Sequence, residues 1–225
     1  MTPQGRCAAA IELLEAIENS THPADRAAAL FMRERRYVGA GDRRAILDQV
    51  YAAIRNRDSL DWWIAKVTSG ATPPSPRRRI LAWLALAEGM RPKAIADIFS
   101  GDGYGPPQMT SEEQNLAERF YGKTLHPEDQ PRRVQANCPD WIAPLLERRF
   151  GSRFLEEMLA LNQEAPFDLR VNTIKLSRDN VMVELAKEGI EARPTRYSPW
   201  GLRISSRRPI ADLDLYRKGV IEIQD

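Results

Sequence analysis

Five arginines gather near the end of the chain, in a stretch that contains no acidic residue. Between Glu191 and Asp212 the sequence has neither Asp nor Glu, and Tyr197 and Trp200 are interleaved with the basic residues. The planar guanidinium group of arginine can donate two parallel hydrogen bonds to a phosphate, and aromatic rings stack on unpaired bases. The combination predicts a surface that binds nucleic acid, and its arginines are Arg193, Arg196, Arg203, Arg207 and Arg208.

The same stretch is open to two alternative interpretations. It could be a solvated edge hairpin whose charges prevent the addition of another strand. It could also reflect a genome that favours arginine codons, since the chain has 27 Arg and 6 Lys. A uniform codon bias does not produce a local gap in acidic residues. We therefore favour a nucleic-acid surface, with Trp200 at the tip of the hairpin stacked on a splayed base.

The stretch FDLRVN (167–172) alternates apolar and polar side chains. This alternation predicts a strand with one buried face and one exposed face. Arg170 and Asn172 fall on the exposed face, so they are further candidates for contact with RNA. Downstream, SPWG (198–201) has Pro and Gly at the second and fourth positions of a predicted turn.

Motifs that would signal catalysis or metal binding are missing from the sequence. It contains no phosphate-binding loop, no H-E-x-x-H and no C-x-x-C. Cys7 and Cys138 fit neither a disulfide framework nor a zinc site, which indicates a reducing, cytoplasmic compartment. Hydrophobic residues make up 43% of the chain and the formal net charge is +2, as in a globular protein. The residues alone therefore indicate a binding or scaffold unit, with no metal and no cofactor of its own.

The hydrophobic pattern divides the chain into a helical part and a mixed part. Helical periodicity runs through residues 1–125, and strand-like alternation begins only at Phe167. The predicted fold class is mainly α, with an all-helical bundle followed by a small α+β subdomain. We predict a helical domain at 1–128, a polar linker at 129–138, and a helical pair with the α+β subdomain at 139–225.

Four motifs in the second half of the chain follow one another in a distinctive order. They are Cys-Pro-Asp-Trp (138–141), Leu-Arg-Val-Asn (169–172), Ser-Pro-Trp-Gly-Leu (198–202) and the final Gln-Asp. In this order they resemble the entry to the catalytic half of Sun-type (RsmB-like) RNA cytosine-C5 methyltransferases. Upstream, residues 41–64 resemble the NusB-like RNA-binding domain that often begins such enzymes, which implies a NusB-like bundle at 1–128. The resemblance also implies that the small α+β subdomain is ferredoxin/RRM-like.

The resemblance implies that the chemistry lies outside these 225 residues. In the family, Gln224-Asp225 leads into a domain that binds S-adenosyl-L-methionine and carries two catalytic cysteines. A cysteine thiolate adds to C6 of cytosine, which makes C5 nucleophilic toward the methyl group. Cys7 and Cys138 stand in neither the Pro-Cys nor the Thr-Cys setting of the family. We therefore expect no catalytic residue here and no activity from this chain alone.

The sequence thus predicts the RNA-binding N-terminal region of an S-adenosyl-L-methionine-dependent RNA (cytosine-C5) methyltransferase. Its expected partner is rRNA, and no membrane is expected to take part. Two alternatives stay open: a non-enzymatic RNA-binding adaptor of the antitermination type, and a scaffold that binds other proteins through its helical half.

Overall fold

A computed structural model describes residues 1–205 and 210–224 of the chain. By internal contact the chain divides into two compact units, Met1–Asn162 and Gln163–Asp225. We call them the helical unit and the sheet unit, and each is described by itself.

The helical unit consists of α-helices joined by loops, with one 3-10 turn, Gly151–Arg153, between the last two. In chain order the helices are α1 (Pro3–Glu18), α2 (Ala24–Glu34), α3 (Ala40–Arg55), α4 (Arg57–Thr68), α5 (Pro76–Leu86), α6 (Pro92–Ile98), α7 (Ser111–Phe120), α8 (Arg132–Gln135), α9 (Ala143–Phe150) and α10 (Phe154–Leu161).

Helix α5 lies at the centre of the helical unit. It packs against α1, α3, α4, α6 and α7, and its Ile80, Leu81 and Ala82 are completely buried. Leu13 on α1 and Ile64 on α4 are completely buried as well. Removing apolar surface from water contributes roughly 25 cal/mol per Å², so this cluster is the main source of stability. The helices predicted in residues 1–125 are confirmed as α1 to α7.

One charged side chain, Arg79, lies inside this packing with only 5% of its surface exposed. Its Nε and Nη2 donate to the two carboxylate oxygens of Asp61 at 2.6 and 2.9 Å. Its Nη1 donates to Glu18. A buried guanidinium is tolerated only when its donors are satisfied, so this ion-pair cluster ties α1, α4 and α5 together.

The segment predicted as a linker, 129–138, packs against α4. The Ser59 amide of α4 donates to Asn137 Oδ1 at 3.1 Å, and Asn137 Nδ2 donates back to Ser59 Oγ at 3.2 Å. Gln130 and Val134 are buried, and helix α8 forms within the segment. By internal contact, the segment and the helical pair α9–α10 therefore belong to the helical unit. The domain boundary at 129–138 stays a prediction.

The sheet unit has the chain order β1 (Phe167–Val171), α11 (Arg178–Lys187), β2 (Ala192–Pro194), β3 (Gly201–Ile204), α12 (Asp214–Arg217) and β4 (Ile221–Ile223). Its strands lie in the order β2-β3-β1-β4, and every neighbouring pair is antiparallel. This order and the β-α-β-β-α-β sequence are those of a ferredoxin-like fold. The second helix, α12, is reduced to little more than one turn, preceded by a 3-10 turn at Ile210–Asp212.

Alternation along the strands separates a buried face from an exposed one. Leu169 and Val171 of β1 are buried with Leu202 of β3 and with Val181 and Leu185 of α11. The polar residues between them face away from the core, as period-two geometry requires. The predicted fold class, mainly α with a small ferredoxin-like α+β part, is confirmed. The likeness of the bundle to NusB stays a prediction.

Among the described helices, none combines the length and the apolar character that crossing a bilayer requires.

We expect replacement of Arg79 by Ala to destabilise the helical unit by about 3 kcal/mol, because it removes the buried guanidinium that pairs with the partly buried carboxylates of Glu18 and Asp61. Equilibrium unfolding in urea, followed by far-UV circular dichroism, measures the change. The control is Arg57→Ala, which removes an exposed guanidinium 3.8 Å from the same Asp61 and should cost at most about 1 kcal/mol. Equal effects of the two substitutions would contradict a central role for Arg79.

Candidate nucleic-acid interface

A tight loop between β2 and β3 positions the aromatic and basic side chains singled out in the sequence. The Gly201 amide donates to the Ser198 carbonyl at 3.3 Å, which closes the predicted turn. The Thr195 amide donates to the Gly201 carbonyl at 3.1 Å and closes the base of the loop. The Trp200 amide donates to Ser198 Oγ at 3.3 Å. We call residues 193–200, which are the last two residues of β2 and the loop that follows them, the basic loop.

Close packing inside the basic loop requires glycine at position 201. A Cβ atom placed on Gly201 would lie 2.1 Å from Thr195 Oγ1 and 3.1 Å from Ser198 Cβ. Both distances are shorter than ordinary van der Waals contact. The loop therefore keeps its shape because Gly201 lets its two sides approach each other.

Four large side chains project from the basic loop into solvent. Tyr197 is 88% exposed and Trp200 is 53% exposed, and Arg193 and Arg196 are exposed as well. The Arg196 guanidinium lies 5.2 Å from the centre of the Tyr197 ring, within the range of a cation–π contact. Within residues 1–205 and 210–224, no carboxylate forms an ion pair with Arg193 or Arg196. Both are thus free to bind an external anion.

Arg203 is held by a carboxylate on the neighbouring strand. Its Nε and Nη2 donate to Asp168 Oδ1 and Oδ2 at 2.7 and 2.8 Å, across the register that places Asp168 opposite Arg203. Hydrogen bonds from this guanidinium lower the pKa of the Asp168 carboxyl. On the other side of β3, Arg193 lies opposite Arg203, so two arginines and one aspartate follow one another across three strands.

Arg170 is also paired on the exposed face of the sheet. It forms an ion pair with Glu222, which lies directly opposite on β4. Two of the predicted RNA contacts, Arg170 and Arg203, are therefore partly neutralised by acidic neighbours. The unpaired positive charge of the described sheet unit shifts toward the β2 edge and the basic loop.

Asn172 uses its side chain to fix the loops at one end of the sheet. Its Oδ1 accepts from the Ile174 amide at 3.2 Å, and its Nδ2 donates to the Gly219 carbonyl at 3.3 Å. Together these bonds join the loop after β1 to the turn before β4. Asn172 thus supports the shape of the surface, and a direct contact with RNA stays a prediction.

An open pocket of about 690 Å³ lies beside Asn172, at the end of the sheet where β1 finishes. Trp200 lines it, Tyr216 and the 96% exposed Ile174 add apolar surface, and Arg170 and Glu222 supply charge. Apolar and aromatic walls with a few polar groups are typical of ligand pockets. The structure thus brings Arg170, Asn172 and Trp200 to one place, whereas Arg193 and Arg203 lie side by side across β2 and β3.

The remaining predicted contacts, Arg207 and Arg208, lie outside the described residues. Sequence reasoning did not single out Tyr216, Ile174, Asp168 or Glu222. A signal was present for both acids: Asp168 alternates with apolar residues in the predicted strand 167–172, and Glu222 lies between Ile221 and Ile223. Their pairing with particular arginines depends on strand order, which alternation does not reveal.

The two thiols have surroundings that keep them protonated. Burial raises the pKa of Cys7 to about 12, and burial also raises the pKa of Cys138. Nucleophilic cysteines show the opposite shift, because the thiolate is the reactive form. In the part of the chain that the structure describes, no group of three or more His, Cys, Asp or Glu side chains is arranged to hold a metal ion.

Known proteins resemble this chain both in sequence and in fold. Residues 138–211 match the family model described as "Methyltr_RsmF/B-like, ferredoxin-like domain". Over its whole length the chain also superposes on the crystal structure of PH0851, with a TM-score of 0.63, 18% identity and coverage of 53% of that chain. At that identity the superposition shows the fold alone.

Three curated proteins are similar to this chain in sequence. The chain is 34% identical over 87 residues to ribosomal RNA small subunit methyltransferase B of Photorhabdus laumondii, covering 39% of this chain and 20% of that protein. It is 26% identical over 200 residues to the probable ribosomal RNA small subunit methyltransferase B of Synechocystis, covering 82% and 45%. A Citrobacter koseri protein of the same name is 23% identical over 199 residues, covering 84% and 46%.

These findings confirm the resemblance to the N-terminal part of the RsmB-like methyltransferase family. The matched stretch, residues 138–211, begins within the helical unit and includes β1, α11, β2 and β3 of the sheet unit. More particularly, the relatives that align over most of the chain are ribosomal RNA small subunit methyltransferases B. The chain spans about half the length of those relatives.

The ion pair between Asp168 and Arg203 predicts a pH-dependent stability of the sheet unit. Because the folded pKa of Asp168 lies below its unfolded value, the pair stabilises the fold above the unfolded pKa of about 3.9 and loses this effect as pH falls through the lower folded value. Asp168→Asn should therefore cost about 0.5–1 kcal/mol at pH 7 and little at a pH of about 2. Hydrogen exchange of the β1 and β3 amides measures the difference.

The control for this prediction is Asp214→Asn, since Asp214 is exposed and pairs with Lys218 within one helical turn. It should change the exchange of β1 and β3 amides very little at either pH. An Asp168→Asn effect of the same size at pH 7 and at low pH would contradict the assigned ion pair.

Proposed function

We propose that this chain is the RNA-recognition region of an S-adenosyl-L-methionine-dependent RNA (cytosine-C5) methyltransferase that acts on rRNA. The observation that carries the proposal is the basic loop. It presents Arg193 and Arg196, which form no ion pair with the described residues, beside the exposed Tyr197 and Trp200. The loop lies within residues 138–211, which match the RsmF/B-like ferredoxin-like domain model, and the relatives named above are rRNA methyltransferases.

The chemistry of the basic loop suits a single-stranded or splayed region of RNA. Guanidinium groups without carboxylate partners release counterions when they bind phosphates, which gives affinity that falls with salt. Exposed aromatic rings stack on bases with little preference for sequence. The loop would thus hold the RNA backbone with Arg193 and Arg196, while Trp200 contacts a base at the mouth of the pocket described above.

The described residues contribute binding and orientation to this proposed reaction. Methylation at C5 needs a thiolate that adds to C6, and burial keeps Cys7 and Cys138 as thiols. S-adenosyl-L-methionine would supply the methyl group. In the described ranges the sheet is antiparallel, and β1 is followed by Asn-Thr-Ile-Lys rather than a glycine-rich turn. These features of the described residues do not fit a binding site for S-adenosyl-L-methionine.

The first test reverses the charge of the basic loop. Arg193→Glu with Arg196→Glu should weaken binding of a structured rRNA fragment about tenfold or more and reduce the slope of log affinity against log salt by about two. Fluorescence anisotropy across a salt series measures both quantities. The reason is the loss of two cations that have no competing carboxylate among the described residues.

The matched control is Lys187→Glu with Arg217→Glu. It makes the same change in net charge on the helices α11 and α12, where Lys187 pairs with Glu184 and Arg217 with Asp212. This control should bind RNA within about threefold of the unaltered chain. Equal weakening by both double variants would show a general charge effect, and RNA binding that ignores salt would overturn the proposed function.

A second test should strengthen binding. Glu222→Gln removes the carboxylate that pairs with Arg170, so Arg170 becomes available to a phosphate, and the salt slope should rise by up to about one. Glu184→Gln on α11 is the control, because it frees Lys187 on a helix instead of an arginine on the sheet. Unchanged affinity in Glu222→Gln would remove the exposed sheet face from the proposed interface.

A further inference from the structure

Two exposed tyrosines of the helical unit line one pocket from different loops. Tyr37 lies between α2 and α3 and is 74% exposed, and Tyr104 lies between α6 and α7 and is 93% exposed. The pocket has a volume of about 640 Å³ and is open to solvent on one side. Aromatic side chains this exposed contribute little to the hydrophobic core. Their position at one pocket is therefore better explained by an interaction with a ligand.

Small residues of α1 form the floor of this pocket. Gly5, Ala8 and Ala9 line it, and a Cβ atom on Gly5 would lie 3.9 Å from the Cβ of Tyr104. These three small residues leave space beside the tyrosines, and Met1, Thr2 and Glu12 complete the lining. Such a space accepts a planar ring, which can stack on an aromatic side chain.

Arginines flank Tyr37 in the sequence. Residues 33–44 hold five of them against two acidic residues. One acid, Asp42, is already bound by Arg6 at 3.1 Å. Glu12, which lines the pocket, is paired with Arg35 at 3.1 Å. In the described residues, 1–205 and 210–224, Arg33 and Arg36 form no ion pair, and both are exposed.

We propose that this pocket, which we call the tyrosine pocket, binds an unpaired base of single-stranded RNA while Arg33 and Arg36 contact the adjacent phosphates. The positive surroundings favour a polyanion over a proline-rich peptide, which would also fit an aromatic groove but gains little from arginines. This inference rests on the proposed function, because it adds a second RNA contact on the other unit of the chain.

The experiment compares two double variants of the 225-residue chain. Tyr37→Ala with Tyr104→Ala should lower affinity for a single-stranded RNA oligonucleotide about tenfold, because base stacking is lost. Tyr37→Phe with Tyr104→Phe keeps both rings and should bind within about twofold. Both tyrosines lie on loops and are exposed, so neither variant should unfold the bundle, and circular dichroism verifies this. Oligonucleotides that carry 5-iodouracil should crosslink to Tyr37 or Tyr104 under ultraviolet light.

Each outcome decides one of the two proposals. If Arg193→Glu with Arg196→Glu weakens binding while the alanine pair does not, the tyrosine pocket is overturned and the basic loop stands. If the alanine pair weakens binding and the phenylalanine pair restores it, the tyrosine pocket is supported whatever the basic loop does. If the alanine pair binds RNA normally but loses a proline-rich peptide that the unaltered chain binds, the occupant proposed here is wrong.

Discussion

The register of β1 is the constraint on which the sheet unit depends. β1 is central, with β3 on one side and β4 on the other. The alternation of its side chains therefore determines which residues of both neighbouring strands lie opposite them. Leu169 and Val171 face the core, and the same register directs Asp168 toward Arg203 and Arg170 toward Glu222. A slip by one residue would expose the apolar side chains and bury two charges. Core burial and surface electrostatics are thus determined by one set of backbone hydrogen bonds.

That register also decides which arginines remain available to a partner. Cations on the exposed face of β1 and β3 meet carboxylates across the strands, whereas the basic loop has none among the described residues. Surface ion pairs of this kind add little stability, but each reduces the local positive potential. The result is a surface where unpaired positive charge and exposed aromatic rings coincide at the basic loop. This coincidence supports an RNA-holding role more strongly than the small net charge of the whole chain.

The helical unit follows a different principle, because its stability comes from a large apolar core into which the Arg79 side chain is packed. Arg79 joins three helices through two carboxylates, and Ser59 with Asn137 fastens the segment after α7 to α4. The exposed Tyr37 and Tyr104 take no part in this packing. Residues that contribute nothing to the core but lie together on a surface are where an interaction is expected.

The sequence by itself determined the helical part, the strands and the stretch without acidic residues, because each depends on local periodicity or composition. It also determined the turn at 198–201, since Pro199 and Gly201 restrict the backbone locally. Only the tertiary structure decided that Asp168 and Glu222 neutralise two candidate arginines, because these partners are 35 and 52 residues away in the chain. It likewise packed the polar segment 129–138 against α4 and brought Tyr37 to Tyr104. Hydrogen bonds and contacts between distant residues depend on strand order and helix packing, which no local pattern encodes.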